Sequence, residues 1–160
     1  MEDYLKEIGE IGLIARLKRV SDNMLYSIRD LYKIKGFDIE PNWHLVLLQL
    51  KKYKTRTMTE ISDSLGLSQP AVVKMINKMK KNGYIEIISD KVDSRKKQIS
   101  LSEKAKEKLP ELERVWKGGK ATIEGLLLKN KTFVKQLENI ENQLSEKSFK
   151  DRVLSNLNKK

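Results

Sequence analysis

Gln69, Val73, Lys74 and Asn77 recur at the spacing that gathers side chains on one side of a helix, and their types are those that read base-pair edges. Asn or Gln pairs with adenine through two hydrogen bonds, Lys reaches guanine or phosphate, and Val packs against a thymine methyl. Lys78, Lys80 and Lys81 have the reach and flexibility for phosphates. On the opposite side, Val72, Met75, Ile76 and Met79 form an apolar face for a core. A lysine run on a packed helix is commonly a solvated face and nothing more. A second basic element weighs against that reading: in the polar stretch Ser89 to Lys97, Lys91, Arg95, Lys96 and Lys97 outnumber Asp90 and Asp93. From Ser68 to Lys97 there are eight Lys or Arg against three acids, a net of +5 on less than a fifth of the chain.

Local patterns place these residues. Thr57-Met58-Thr59-Glu60 matches a capping box, so a short helix is expected from about Met58, closed by a left-handed Gly66. Ser68 is positioned to cap the next helix, with Gln69 and Pro70 in its first turn, where a missing N–H costs little. That helix should end near Asn82, before Gly83. Tyr84 to Ile88 and Gln98 to Leu101 are short and β-branched, as the strands of a hairpin tipped by Ser89 to Lys97. Helix, Gly turn, basic helix and hairpin in that order are the plan of a winged helix-turn-helix.

The flanks are helical. Ile8, Ile11, Ile14, Leu17, Val20, Met24, Ile28 and Leu31 recur at threes and fours, predicting one long amphipathic helix from about Leu5 to Lys35. Pro41 suits the first turn of a second helix, which buries Trp43, Val46, Leu47 and Leu50 and ends near Tyr53. Ser102 opens a helix expected to run to about Lys129 and to bend at Pro110. After Asn130 a final helix carries Phe133, Leu137, Ile140, Leu144, Phe149, Val153, Leu154 and Leu157. The apolar stripes of these terminal helices need a partner, from a second subunit or from the chain itself.

Composition excludes several chemistries. The 160 residues hold no cysteine, which removes disulfides, thiolate metal sites, a Cys nucleophile and a thiol switch, and fits a cytoplasmic setting. His44 is the single histidine and reads as an ordinary packed or surface residue. Metal binding and catalytic triads therefore lack their parts, so no catalytic residue, metal or cofactor is expected and the chain is not read as an enzyme. Gly118-Gly119 lacks the flanking Lys-Ser or Lys-Thr of a phosphate loop. The longest apolar run, Leu45 to Leu48, is far short of a membrane span, and acidic Met1-Glu2-Asp3 is unlike a secretory leader, so a soluble chain is expected. A net charge of +11 favours a polyanionic partner.

Asn82-Gly83-Tyr84-Ile85, then Asp93-Ser94-Arg95-Lys96-Lys97-Gln98-Ile99-Ser100-Leu101-Ser102, resemble the MarR family of bacterial transcription regulators, whose most specific motif is an Asp-x-Arg wing ending in Leu-Thr or Leu-Ser. The likeness takes in Phe37 to Leu50 and the helices at both ends. It implies a mainly α fold with a small β-hairpin wing (α+β): a single domain over residues 1–160, with a winged helix-turn-helix lobe at 37–101 and dimerisation helices at 1–36 and 102–160. It further implies a homodimer reading a pseudo-palindromic operator in double-stranded DNA. In the family the arginine matching Arg95 enters the minor groove, steadied by the aspartate matching Asp93, and Lys96 and Lys97 lie beside it. Ser68, Gln69, Pro70, Val73, Lys74, Asn77, Lys78 and Lys81 complete the expected DNA-binding set. Many members release DNA when a small aromatic or anionic effector binds, for which Tyr26, Trp43 and His44 are candidate pocket residues. Trp43 also reads as a plain core anchor. A winged-helix module that binds another protein is the rival reading.

Overall fold

The computed structural model describes residues 3–89 and 97–158. The chain divides into two compact units, Met1–Leu109 and Pro110–Lys160.

The first unit begins with α1 (Tyr4–Glu7), a 3-10 turn (Gly9–Gly12) and α2 (Leu13–Ile34). The single long helix expected here is broken. Gly9 takes a left-handed φ of 58°, and at Gly12 a Cβ would lie 2.3 Å from the Leu5 carbonyl oxygen, a close approach that only glycine permits. Arg19 reaches back to grip both oxygens of Asp3, at 3.1 and 2.6 Å. Next comes α3 (Trp43–Tyr53), which starts two residues after Pro41 rather than on it. The Trp43 N–H closes a turn onto the Glu40 carbonyl at 3.0 Å, leaving Pro41 outside the helix.

β1 (Thr55–Arg56) leads into α4 (Met58–Leu65), and α5 (Gln69–Lys81) follows the Gly66 turn. The capping box forms as its spacing predicts: Thr57 Oγ1 accepts from the Glu60 N–H at 3.2 Å, and Glu60 accepts from the Thr57 N–H at 2.7 Å. Gly66 is left-handed, with φ 61°. Ser68 adopts the extended cap conformation, but its hydroxyl makes no capping hydrogen bond. The wing strands are β2 (Ile85–Ser89) and β3 (Lys97–Leu101), each a residue or so displaced from the expected span. They pair antiparallel from Ile85 opposite Leu101 to Ser89 opposite Lys97. A third strand joins them without a signal in its own sequence: β1 pairs with β3 through Thr55 opposite Ser100 and Arg56 opposite Ile99, giving the order β1-β3-β2.

Val46, Leu47, Leu50, Ile61, Val72, Ile76, Met79, Tyr84 and Ile99 are buried to 1% exposure or less and form the core of this unit. Burying each large apolar side chain contributes about 1.5 to 3 kcal/mol, so Val72, Ile76 and Met79 hold the inner side of α5 firmly. The same helix can then carry its cations outward without support from neighbours.

α6 (Glu103–Leu126) enters the second unit and continues as a helix through Pro110. It stops three residues before the expected Lys129, because Leu128 and Lys129 turn left-handed and the Lys129 N–H caps the Glu124 carbonyl at 2.9 Å. The final helix is two helices, α7 (Thr132–Glu146) and α8 (Phe149–Leu157). Ser148 makes the break: its hydroxyl accepts the Asp151 N–H at 3.2 Å and starts a new helix. No residue of α7 or α8 is buried, and Phe133, Val134, Phe149 and Leu154 are each at least half exposed. Among the described residues no helix is long and apolar enough to cross a membrane, and no group of three or more His, Asp or Glu is placed to hold a metal ion.

Candidate nucleic-acid interface

The outer side of α5 carries the chemistry read from the sequence. Pro70, Val73, Lys74, Asn77, Lys78 and Lys81 line one shallow open concavity of about 530 Å³, and all six are exposed. Ser68 and Gln69 are exposed at the start of the same helix. Four lysines and no acid lie on α5, so nothing within the helix neutralises its field. Val73, Asn77 and Lys81 follow at four-residue intervals, so at about 1.5 Å per residue each sits about 6 Å along the axis from the next. The major groove of B-DNA, about 12 Å wide, admits an α-helix. Lys97 is exposed at the first residue of β3, the base of the wing. Asp93, Arg95 and Lys96 lie outside the described residues.

A polar cluster fixes the far end of this helix, and no local motif announces it. Tyr84 donates its hydroxyl to Asp38 Oδ1 at 2.5 Å, while Lys104 Nζ meets Asp38 Oδ2 at 2.7 Å and the Asn82 carbonyl at 2.8 Å. The Asn82 amide in turn donates to the Asp38 carbonyl at 3.0 Å. Ser102 joins in by donating to the Gly83 carbonyl at 2.6 Å. The loop before α3, the end of α5 and the start of α6 are thereby tied at one point. Burial works to raise the Asp38 carboxyl, but the hydrogen bonds from Lys104 and Tyr84 outweigh it and hold the group below its ordinary value. The Tyr84 phenol is pushed up by burial and by that same carboxylate. Tyr84 also packs edge-on against Trp43, with ring centroids 5.7 Å apart.

A second concavity, a cleft of about 210 Å³, opens beside α5 and is lined by Arg29, Glu40, Trp43, Met75, Lys74 and Lys78 among others. Arg29 Nε lies 3.3 Å from Glu40 Oε2, so the lining holds three cations and one acid, the latter already engaged. Of the three expected effector residues only Trp43 lines this cleft, and it is 2% exposed. Tyr26 is exposed, with the Arg29 guanidinium 5.6 Å from its ring. The His44 Nδ1–H donates to the Pro41 carbonyl at 2.6 Å. Arg29 and Glu40 escape a sequence reading because they belong to different elements, eleven residues apart.

Comparison with known proteins agrees with this geometry. The MarR family model matches residues 37–96. An uncharacterized HTH-type transcriptional regulator of Bacillus cereus is 33% identical over 70 residues, 44% of this chain and 46% of its own length. The chain thus aligns with about half the length of the curated relatives it matches. Among solved structures, a MarR protein from Peptoclostridium difficile has a TM-score of 0.69 at 19% identity, covering 86% of this chain and 90% of that one. The M. tuberculosis transcriptional regulator MOSR, solved in complex with DNA, has a TM-score of 0.70 at 15% identity, covering 83% and 96%. These likenesses establish the winged-helix fold.

Proposed function

We propose, starting from a winged lobe of the MarR family, that this protein is a sequence-specific DNA-binding transcription regulator that works as a cytoplasmic homodimer. One observation carries the reading: the acid-free outer face of α5, where Val73, Lys74, Asn77, Lys78 and Lys81 line a single open concavity. Val73 and Asn77 supply contacts that discriminate bases, and the lysines bind phosphates. Arg95, steadied by Asp93, takes the minor groove, where a narrow electronegative channel favours its guanidinium. The exposed apolar side chains of α2 in the first unit, and separately those of α7 and α8 in the second, are surface that a second copy would cover, and a dimer sets the spacing of two half-sites. Occupying a promoter in this way blocks polymerase, so the protein acts as a repressor.

The cleft beside α5 supports release by an effector. Its lining is cationic, and its volume is below that of sites for drug-sized ligands, so it suits a compact anion. Lys74 and Lys78 line both the cleft and the outer face, so an anion in one draws on the charges used by the other.

Selection of bound duplexes from a random pool, followed by affinity measurement across a salt series, tests the reading. A recovered pseudo-palindrome whose log affinity falls by about 0.9 per neutralised phosphate for each unit of log salt is the expected result. A chain that enriches no sequence and shows flat salt dependence refutes it and favours a protein-binding module.

A further inference from the structure

Where α3 gives way to β1, a second cationic surface lies outside α5 and the wing. Lys54 has φ 70° and ψ −55°, the form of the γ-turn that is rare and strained for any residue with a Cβ. Glycine takes this conformation freely, so a lysine there sacrifices backbone stability for its side chain. The side chain is exposed, and among the described residues no acid pairs with it or with Lys52. Tyr53 organises the rest: its ring lies 3.8 Å from the Arg56 guanidinium carbon and 4.8 Å from Lys52 Nζ. The closeness of the Lys52 ammonium, with Arg56 adding to it, holds the Tyr53 phenol below its ordinary range. Arg56 has an acidic neighbour in Glu60, 3.4 Å away, but the other oxygen of Glu60 is spent on the Thr57 N–H and hydroxyl.

We propose that Lys52, Lys54 and Arg56 form a second docking surface for the phosphodiester backbone of the duplex that α5 reads. The inference rests on the DNA-binding reading and adds a contact to it. Charge selects the occupant, since Lys52 and Lys54 are exposed cations with no acidic partner among the described residues, and Arg56, whose side chain is 22% exposed, shares Glu60 with Thr57. Continuity supports the same choice. Arg56 pairs with Ile99, two residues from Lys97 at the wing base, which is about 7 Å along a strand. The segment also leads directly into α4, and the first helix of a helix-turn-helix crosses the DNA backbone. A ring stacked against Arg56 and Lys52 orders two long side chains before DNA arrives, lowering the entropy lost on binding.

The backbone of Lys54 makes a discriminating test available. Lys54→Gly removes the charge and relieves the turn, so stability and affinity should part company. With the full chain and the duplex it selects from a random pool, Lys54→Gly should melt at or above the parent's midpoint yet bind more weakly. Raising salt fourfold should cost the variant about 3.5-fold less affinity than the parent, the share of one phosphate at a slope of about 0.9. Lys52→Ala, at an exposed position in the last turn of α3, should reproduce that loss of slope. Parent-like affinity and slope in both variants, with the parent still selective and salt-dependent, overturns this surface and leaves the DNA-binding reading standing. A parent that selects no duplex overturns both.

Discussion

Val73 and Asn77 present the most direct test of how the outer face of α5 reads sequence. They stand four residues apart on one exposed face, about 6 Å along the axis at about 1.5 Å per residue. Base pairs stack at about 3.4 Å, so the two side chains address positions about two base pairs apart. On the proposed reading, Asn77→Ala removes an amide that would pair in bidentate fashion with adenine, a contact of about 1 to 3 kcal/mol, or about 5- to 150-fold in affinity. Val73→Ala would remove two methyl groups from the proposed apolar contact with thymine; at about 0.8 kcal/mol per buried carbon and partial burial, the loss is about 1 kcal/mol, near fivefold. Asn77 is exposed and Val73 38% exposed, so neither change should move the folding midpoint by more than about 0.5 kcal/mol. The assay is fluorescence anisotropy on the selected duplex and on every single base-pair substitution of it. Each variant should lose discrimination at one position per half-site, the two positions about two base pairs apart. Equal weakening on every duplex, or relaxed positions separated by half a helical turn, would refute this docking of α5.

Four further substitutions probe the framework that carries the site. Tyr84→Phe keeps the buried ring against Trp43 but deletes the hydrogen bond to Asp38, and because the Asp38 side chain is 55% exposed the cost should be about 1 kcal/mol rather than the larger value of a buried charged pair. The Asp38 carboxyl is held below its ordinary 3.8, so its contribution is complete above that pH and disappears as pH falls through the depressed value. Urea midpoints of parent and variant should therefore differ at neutral pH and converge in acid; a gap independent of pH would contradict the cluster. Gly66→Ala should cost about 1 to 2 kcal/mol, since φ is 61° and no atom lies within 4 Å of the new Cβ, leaving backbone strain as the whole effect. Gly118→Ala and Gly119→Ala, in the interior of α6 and equally unobstructed, should each gain about 0.5 to 1 kcal/mol. Thermal melts followed by circular dichroism check both signs.

The features legible in the sequence are those whose cause is local. The Thr57 capping box, the Gly66 cap and the two-sided pattern of Gln69 to Lys81 each depend on residues within one or two helical turns, and all three stand where the spacing puts them. What escapes depends on partners far along the chain. Nothing in Thr55-Arg56 marks a strand; it becomes one because β3 offers an edge more than forty residues later. Asp38 and Lys104 are 66 residues apart, so their pairing has no pattern to betray it. The broken first helix is an intermediate case: its apolar periodicity is real, but Gly9 and Gly12 interrupt the helix beneath it, and the contact with Leu5 makes glycine necessary at Gly12. The same division separates the candidate site into residues that read and residues that aim. Reading residues must share one helix face, because a groove admits one helix, so their periodicity shows them. Aiming residues, Asp38, Tyr84 and Lys104, must join different elements to fix an angle, so they are dispersed by necessity. Substitutions that alter base preference should therefore cluster between Gln69 and Lys81, whereas substitutions that weaken binding to every sequence alike should be scattered along the chain and meet at Asp38.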